Sequence, residues 1–148
     1  MLQDCVNKIN LKNERKYFGF FIAYLESFAY VELVNEDGFF DGLLLVRENF
    51  IESSQNNSFT EELTSKSDFN KKLKIYNKKR LKGPLFSENI LSKALEQSLG
   101  QGVYIFTEDT KGLFRLKNFK DNLLQIEDEE KAIKKIKIDQ IIYLVFAL

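Results

Sequence analysis

The 148-residue chain has no histidine, no tryptophan, one cysteine, one proline and one methionine. Without imidazole there is no base poised near neutrality and no histidine-held metal. The single Cys5 excludes a thiolate zinc cluster and an intrachain disulfide. No apolar stretch approaches the roughly eighteen residues of a membrane-spanning helix. Net charge of either sign is missing too: 22 Lys plus Arg balance 22 Asp plus Glu. A neutral chain is a poor non-specific binder of nucleic acid. What is abundant is Phe (14) and Tyr (6), within a composition that is 44% hydrophobic and 30% charged. That composition is globular, and with so little proline the aromatics suggest strands. The length suits one domain or two very small ones.

The first thirty residues carry Lys8, Lys12, Arg15 and Lys16 ahead of the apolar run Tyr17 to Leu25. Ser27-Phe28-Ala29 loosely imitates a signal-peptidase site, but Asp4 and Glu14 interrupt the basic region and cleavage would remove an obvious strand. The chain is therefore read as soluble and cytoplasmic, where a lone thiol stays reduced. Its charge is unevenly placed. Residues 1–65 hold 5 basic and 11 acidic side chains, residues 66–82 hold 8 basic against Asp68, and residues 83–148 hold 9 basic and 10 acidic. The basic segment Lys71, Lys72, Lys74, Lys78, Lys79 and Arg80 is the candidate for phosphate contacts. It also fits the solvated face of a helix, or a complement to the acidic first part of the molecule.

Alternation and turn chemistry predict strands over 17–25 and 28–35, meeting at a tight turn at Glu26-Ser27. Asn35-Glu36-Asp37-Gly38 is a second turn, and Gly42 before the strand Leu43 to Val46 marks a bulge or sharp bend. Phe50-Ile51 opens another short strand, and 53–58 reads as a loop. Phe69, Leu73, Tyr76 and Arg80 recur at helical spacing after an N-cap at Ser67 or Asp68, and Gly83-Pro84 ends that helix. A second helix starts at Ser87, presents Leu91, Ala94, Leu95, Ser98 and Leu99 on one face, and stops at Gly100. Strands follow at 103–106 and 112–116, then a hairpin tip at Asp128 to Lys131. From Lys134 to Ile138, Ile136 and Ile138 point inward while Lys135 and Lys137 face water. The last eight residues are apolar without alternation, so both faces of that strand need cover. Ile141, Ile142, Tyr143, Leu144, Val145 and Phe146 are thus expected at an interface, between two modules or between two chains.

The strand-rich parts align as copies. Gly19 to Ile22 matches Gly102 to Ile105 at an offset of 83, Tyr30 to Leu33 matches Leu113 to Leu116 at the same offset, and Glu48 to Ile51 matches Asp139 to Ile142 at 91. Within each copy the order is a Gly-initiated strand, a second strand, an Asp/Gly-rich hairpin, a bent strand and an acidic-x-hydrophobic-Ile close. That order resembles the Sm-like (LSm) small β-barrel, over 17–52 and 101–146. Phe40-Asp41-Gly42-Leu43 through Glu48-Asn49-Phe50-Ile51 carries the likeness best. The resemblance implies a mainly β (α+β) chain of two strongly bent Sm-like barrels. Residues 1–60 would form the first module, 61–100 a basic and amphipathic helical connector, and 101–148 the second module. It also implies rings made by edge-strand pairing, and single-stranded RNA held by two loops. The first loop's Asp-x-x-x-Asn signature is absent at Glu26-Ser27, and Arg47 is followed by Glu48 where the second loop would have Gly. If RNA binds at all, the better candidates are the basic 66–82 segment and exposed Tyr or Phe rings serving as stacking platforms, in place of a ring pore.

Catalysis is not expected. The pairs Glu36/Asp37 and Glu61/Glu62 lie in polar surroundings that keep both members ionised. Asp128-Glu129-Glu130 lacks calcium-loop spacing, and Gly100-Gln101-Gly102 follows a helix, the wrong context for a dinucleotide turn. Serine has no histidine base, and Cys5 has Lys8 as its one near cation. No cofactor and no metal is implied. The expectation is a non-catalytic cytoplasmic binding or assembly module acting through protein contacts, as a homo-oligomer or with a protein partner. The alternatives are an RNA-binding regulator and an immunity-type protein that masks a toxin with its acidic half.

Overall fold

The computed structural model describes residues 4–73 and 89–147. Among them the chain forms ten strands and two α-helices. The strands are β1 (Asn7–Leu11), β2 (Lys16–Leu25), β3 (Phe28–Val34), β4 (Phe40–Arg47), β5 (Ile51–Gln55), β6 (Gly102–Phe106), β7 (Lys111–Lys120), β8 (Leu123–Glu127), β9 (Ile133–Lys137) and β10 (Tyr143–Phe146). The helices are α1 (Ser58–Lys72) and α2 (Ile90–Ser98), and single 3-10 turns occupy Glu48–Phe50 and Ile138–Gln140. The mainly β reading stands. No helix among the described residues is long and apolar enough to cross a membrane.

All the strands are antiparallel to their neighbours and join into one sheet, in the order β5-β1-β2-β3-β4-β10-β6-β7-β8-β9. This corrects the expectation of two separate barrels: the sheet is continuous and open, with β5 at one edge and β9 at the other. The cause is β10. Its backbone pairs with β4 on one side (Tyr143 opposite Val46) and β6 on the other (Tyr143 opposite Phe106). An all-apolar strand needs cover on both faces, and the sheet's centre supplies it. Leu144 and Phe146 enter a cluster with Leu43, Leu45, Ile105, Leu124 and α2, while Tyr143 joins Ile9, Phe21, Val31, Leu44 and Val46 on the other face.

The turns form where the residues tolerate them. Glu26-Ser27 and Asp121-Asn122, each linking two strands, adopt positive φ at both positions, the geometry that follows strand twist in a two-residue hairpin. Asn35 closes the next turn, its side-chain oxygen accepting from the Asp37 and Phe39 N–H groups. Gly42 sits at φ +124, where the β10 backbone passes so close that a Cβ would overlap the Phe146 carbonyl oxygen. Gly100 ends α2 at φ +78.

Three expectations are revised. β1 has no counterpart in the sequence pattern: five residues of modest alternation carry a weak signal, and its ladder bonds come from distant β2 and β5. β5 reaches Gln55, within the stretch read as a loop, because β1 lends its polar Ser-Ser-Gln backbone a partner. The first helix begins ten residues early. Asn57 caps it reciprocally with Thr60, whose N–H meets the Asn57 side chain while the Asn57 N–H meets the Thr60 hydroxyl. Its inward face is Thr60, Leu63 and Ser67, with Leu63 packed on Val6, Phe20, Val34 and Phe40. The anticipated stripe looks outward instead, Phe69 at 60% exposure and Leu73 at 53%. Tyr76, Gly83, Pro84 and the expected second N-cap Ser87 lie outside the described residues.

Candidate functional site

The predicted phosphate-binding residues are only partly placed. Lys71 and Lys72 lie in the last turn of α1, where cations suit the helix dipole. Lys71 is exposed, and its ammonium lies 5.1 Å from the centre of the Phe20 ring and 5.6 Å from that of Phe40. Such contacts hold a cation against its own domain. Lys74, Lys78, Lys79 and Arg80 fall outside the described residues. The predicted interface residues occupy the middle of the sheet. Ile141, Tyr143, Leu144 and Phe146 are buried, Ile142 and Val145 half-buried, and both backbone edges of β10 are engaged within the chain.

Around this seam the structure concentrates its polar and aromatic features. The two 3-10 turns bring Arg47, at the end of β4, against residues some ninety positions away. Its Nε donates to Ile141 O at 3.0 Å, Nη2 to Ile138 O at 3.3 Å and Asp139 O at 3.2 Å, and Nη1 to Glu26 O at 3.3 Å. The guanidinium also lies over the Phe28 ring, 3.6 Å from its centre. A planar fork of five donors suits a convergence of carbonyls, which a lysine cannot span. Arg47 thus pins the β2–β3 turn and the second 3-10 turn to the end of β4. Sequence reasoning met Arg47 only as a departure from a loop motif, and nothing local reveals that its partners are carbonyls from the far end of the chain.

On the other side of the same joint lies an aromatic group centred on Tyr143. Phe106 stacks on it at 4.8 Å and 10°, Tyr104 at 5.9 Å and 24°, and Tyr17 meets it edge-on at 6.3 Å. The Tyr143 hydroxyl accepts from Asn13 Nδ2 at 3.0 Å, so its buried oxygen has a partner. Burial pushes the Tyr143 and Tyr17 hydroxyls above the usual phenol range. Burial, with Glu26 nearby, carries Tyr30 to about 12. These hydroxyls stay protonated at physiological pH.

A cavity of about 600 Å³ opens beside the seam, lined by Lys12, Arg47, Phe50, Thr107 to Thr110, Lys135 and Asp139 to Ile142. A smaller one of about 330 Å³ lies on Phe28, Arg47, Asp121, Asn122 and Lys137. Both mix cations with carboxylates, and the guanidinium they share is already committed to backbone carbonyls. Among the described residues no group of three Cys, Asp or Glu side chains could hold a metal ion.

The remaining surface of interest is the sheet's two ends. Among the described residues, β5 (Ile51-Glu52-Ser53-Ser54-Gln55) and β9 (Ile133-Lys134-Lys135-Ile136-Lys137) each pair on one side only. Unpaired strand edges are templates for another strand. Comparison of the chain with protein-family models, with curated proteins and with solved structures gave no match.

Proposed function

We propose that the chain is a non-catalytic protein-contact module made of two Sm-like units fused edge to edge, working through the outer strands of its sheet. One observation carries this reading: the order β5-β1-β2-β3-β4 recurs along the same sheet as β10-β6-β7-β8-β9. Finer correspondences support it, at an offset of 95 in place of the 83 read from the sequence. β2 and β7 are both ten residues long, each bulges once (after Phe21 and after Leu116), and each ends in a two-residue turn of positive φ. After the next hairpin each half makes a 3-10 turn, and the Glu48 N–H to Ser27 O bond is matched by Ile138 N–H to Asn122 O. The segments beginning at Gly19 and Gly102 align poorly on this view, since Gly19 lies inside β2 and Gly102 opens β6.

The internal joint supports contact through the sheet's outer edges. β4 of the first unit pairs with β10 of the second, and the strands at the corresponding positions, β9 and β5, are the two open edges. An intermolecular contact at those edges would repeat the joint already made inside the chain. The assay is the molar mass of untreated protein by light scattering, with its 260/280 nm absorbance ratio. The expected result is a protein-like ratio and a mass above the 17.3 kDa chain, from a second copy or a stoichiometric protein. Lys135→Pro in β9 should lower that mass, because proline removes an edge donor. A monomer at every concentration that also binds no strand-forming peptide, or co-purifying nucleic acid that salt releases, overturns the proposal.

A further inference from the structure

The open edge at β9 has a chemistry of its own. Two bonds at its ends fix which backbone groups are open: Asp128 N–H donates to Ala132 O, and Ile138 N–H donates to Asn122 O. Antiparallel ladders alternate, so the even-numbered residues of β9 bond to β8, and Ile133, Lys135 and Lys137 turn their backbone outward. The Gln140 side-chain oxygen meets the Lys137 N–H at 3.3 Å. Ile133 and Lys135 therefore present both donors and carbonyls, while Lys137 opens the 3-10 turn that follows. Their side chains share one face, with Ile133 at 47% exposure and both lysines exposed. Lys134 points to the other face, its ammonium 5.8 Å from the Phe114 ring centre. The strands β7, β8 and β9 together carry seven cations and one carboxylate, Glu127, which already meets Lys117 at 3.6 Å, while the adjoining turns hold Asp121, Asp128, Glu129, Glu130 and Asp139.

Lysines along an edge repel a strand that brings no compensating charge. They favour one that brings carboxylates at alternate positions. We infer that β9 is a selective docking edge for an extended acidic segment of a partner protein. That segment adds as an eleventh strand, with carboxylates beside Lys135 and Lys137. The inference rests on the protein-contact reading above and names the partner for one of its two edges. The chain's own β5 is a weak match, because Glu52 is its single carboxylate. A single-stranded nucleic acid is a weak match as well, since β9 turns isoleucine and lysine outward and offers no ring for a base to stack on.

The test uses the full-length chain and a fluorescent, end-blocked nine-residue peptide of alternating Glu and Val, read by anisotropy. Two comparison peptides carry Lys in place of Glu, or N-methyl groups on alternate residues so that one backbone edge cannot donate. The Glu peptide is expected to bind at least tenfold more tightly than either. The double variant Lys135→Glu/Lys137→Glu alters only exposed side chains, keeps the wild-type circular dichroism, and reverses the preference toward the Lys peptide. Equal affinity for the N-methylated peptide overturns the inference, since attraction without strand addition would explain it. So does a self-associated chain whose β9 is blocked to every peptide, or an oligonucleotide that outcompetes the Glu peptide. An oligomeric chain that binds Glu and Lys peptides alike loses the acidic preference and keeps the protein-contact reading. A monomer that binds neither peptide loses both.

Discussion

Replacing Gly42 with alanine should open the seam between the two halves of the sheet. The cost has two sources. The residue sits at φ +124, where an L side chain is strained by about 1–2 kcal/mol. The new Cβ would also overlap the Phe146 carbonyl oxygen and lie 3.3 Å from its carbon. That atom belongs to backbone, so no rotamer change relieves the contact. β4 and β10 must part by about 1 Å, which stretches a bond of ordinary length beyond the range where it contributes. Losing two such bonds at the Gly42 end of the ladder adds about 2–3 kcal/mol. The total, about 3–5 kcal/mol, is a large share of the stability of a typical domain. Gly100→Ala is the internal control: its φ is +78, but nothing lies within 4 Å of the added carbon, so about 1 kcal/mol is expected. Urea unfolding followed by circular dichroism and tyrosine fluorescence gives both values. Hydrogen exchange should show protection lost first at Leu43 to Val46 and Tyr143 to Phe146. If the Gly42 variant is no less stable than the Gly100 variant, the close approach of β10 is not a constraint and the seam is wrongly placed.

Two further outcomes are expected. Arg47→Met keeps the apolar stem but abandons four carbonyls and the Phe28 ring. Two partly buried charged hydrogen bonds and one ring contact together imply a loss of about 2–4 kcal/mol in urea; Arg47→Lys should recover less than half, and a loss under about 0.5 kcal/mol refutes the clamp. Tyr30 at about 12, with Tyr17 and Tyr143 also raised, makes stability flat below the ordinary phenol pKa of about 10 and falling above it. The sign follows because the unfolded chain releases those protons first, so alkali favours unfolding, by up to about 1.4 kcal/mol per pH unit per tyrosine. Tyrosinate absorbance should rise together with loss of circular dichroism; full ionisation in a still-folded chain would contradict the burial.

Much of the local structure is legible in the sequence. Hairpin tips at Glu26-Ser27, Asn35 to Gly38 and Asp128 to Lys131 fall where the residues said they would, and α2 ends at Gly100. In each case a few adjacent residues carry the determinant, through φ > 0 or a side chain bonding to its own backbone. What was missed depends on distant partners. The Ser-Ser-Gln end of β5 is strand only because β1 lies beside it, and β1 is strand only because β2 and β5 do. The helical spacing of Phe69 and Leu73 was real, but the chain docked α1 through Leu63, beneath which Val6, Phe20, Val34 and Phe40 already formed a patch. Periodicity finds a helix face; the shape of the neighbouring surface selects which face is buried.

The same division governs the functional surface. The sequence by itself determined that the apolar strand at Tyr143–Phe146 needs cover on both faces and that Lys135 and Lys137 must meet water, because burying apolar area and hydrating ammonium groups are properties of the side chains alone. Only the tertiary structure decided that β10 would be covered from within the chain, between β4 and β6, leaving β5 and β9 as the outer strands. Backbone edges are chemically alike along every strand, so which of them stay open depends on long-range strand pairing, and that is settled when the whole sheet assembles.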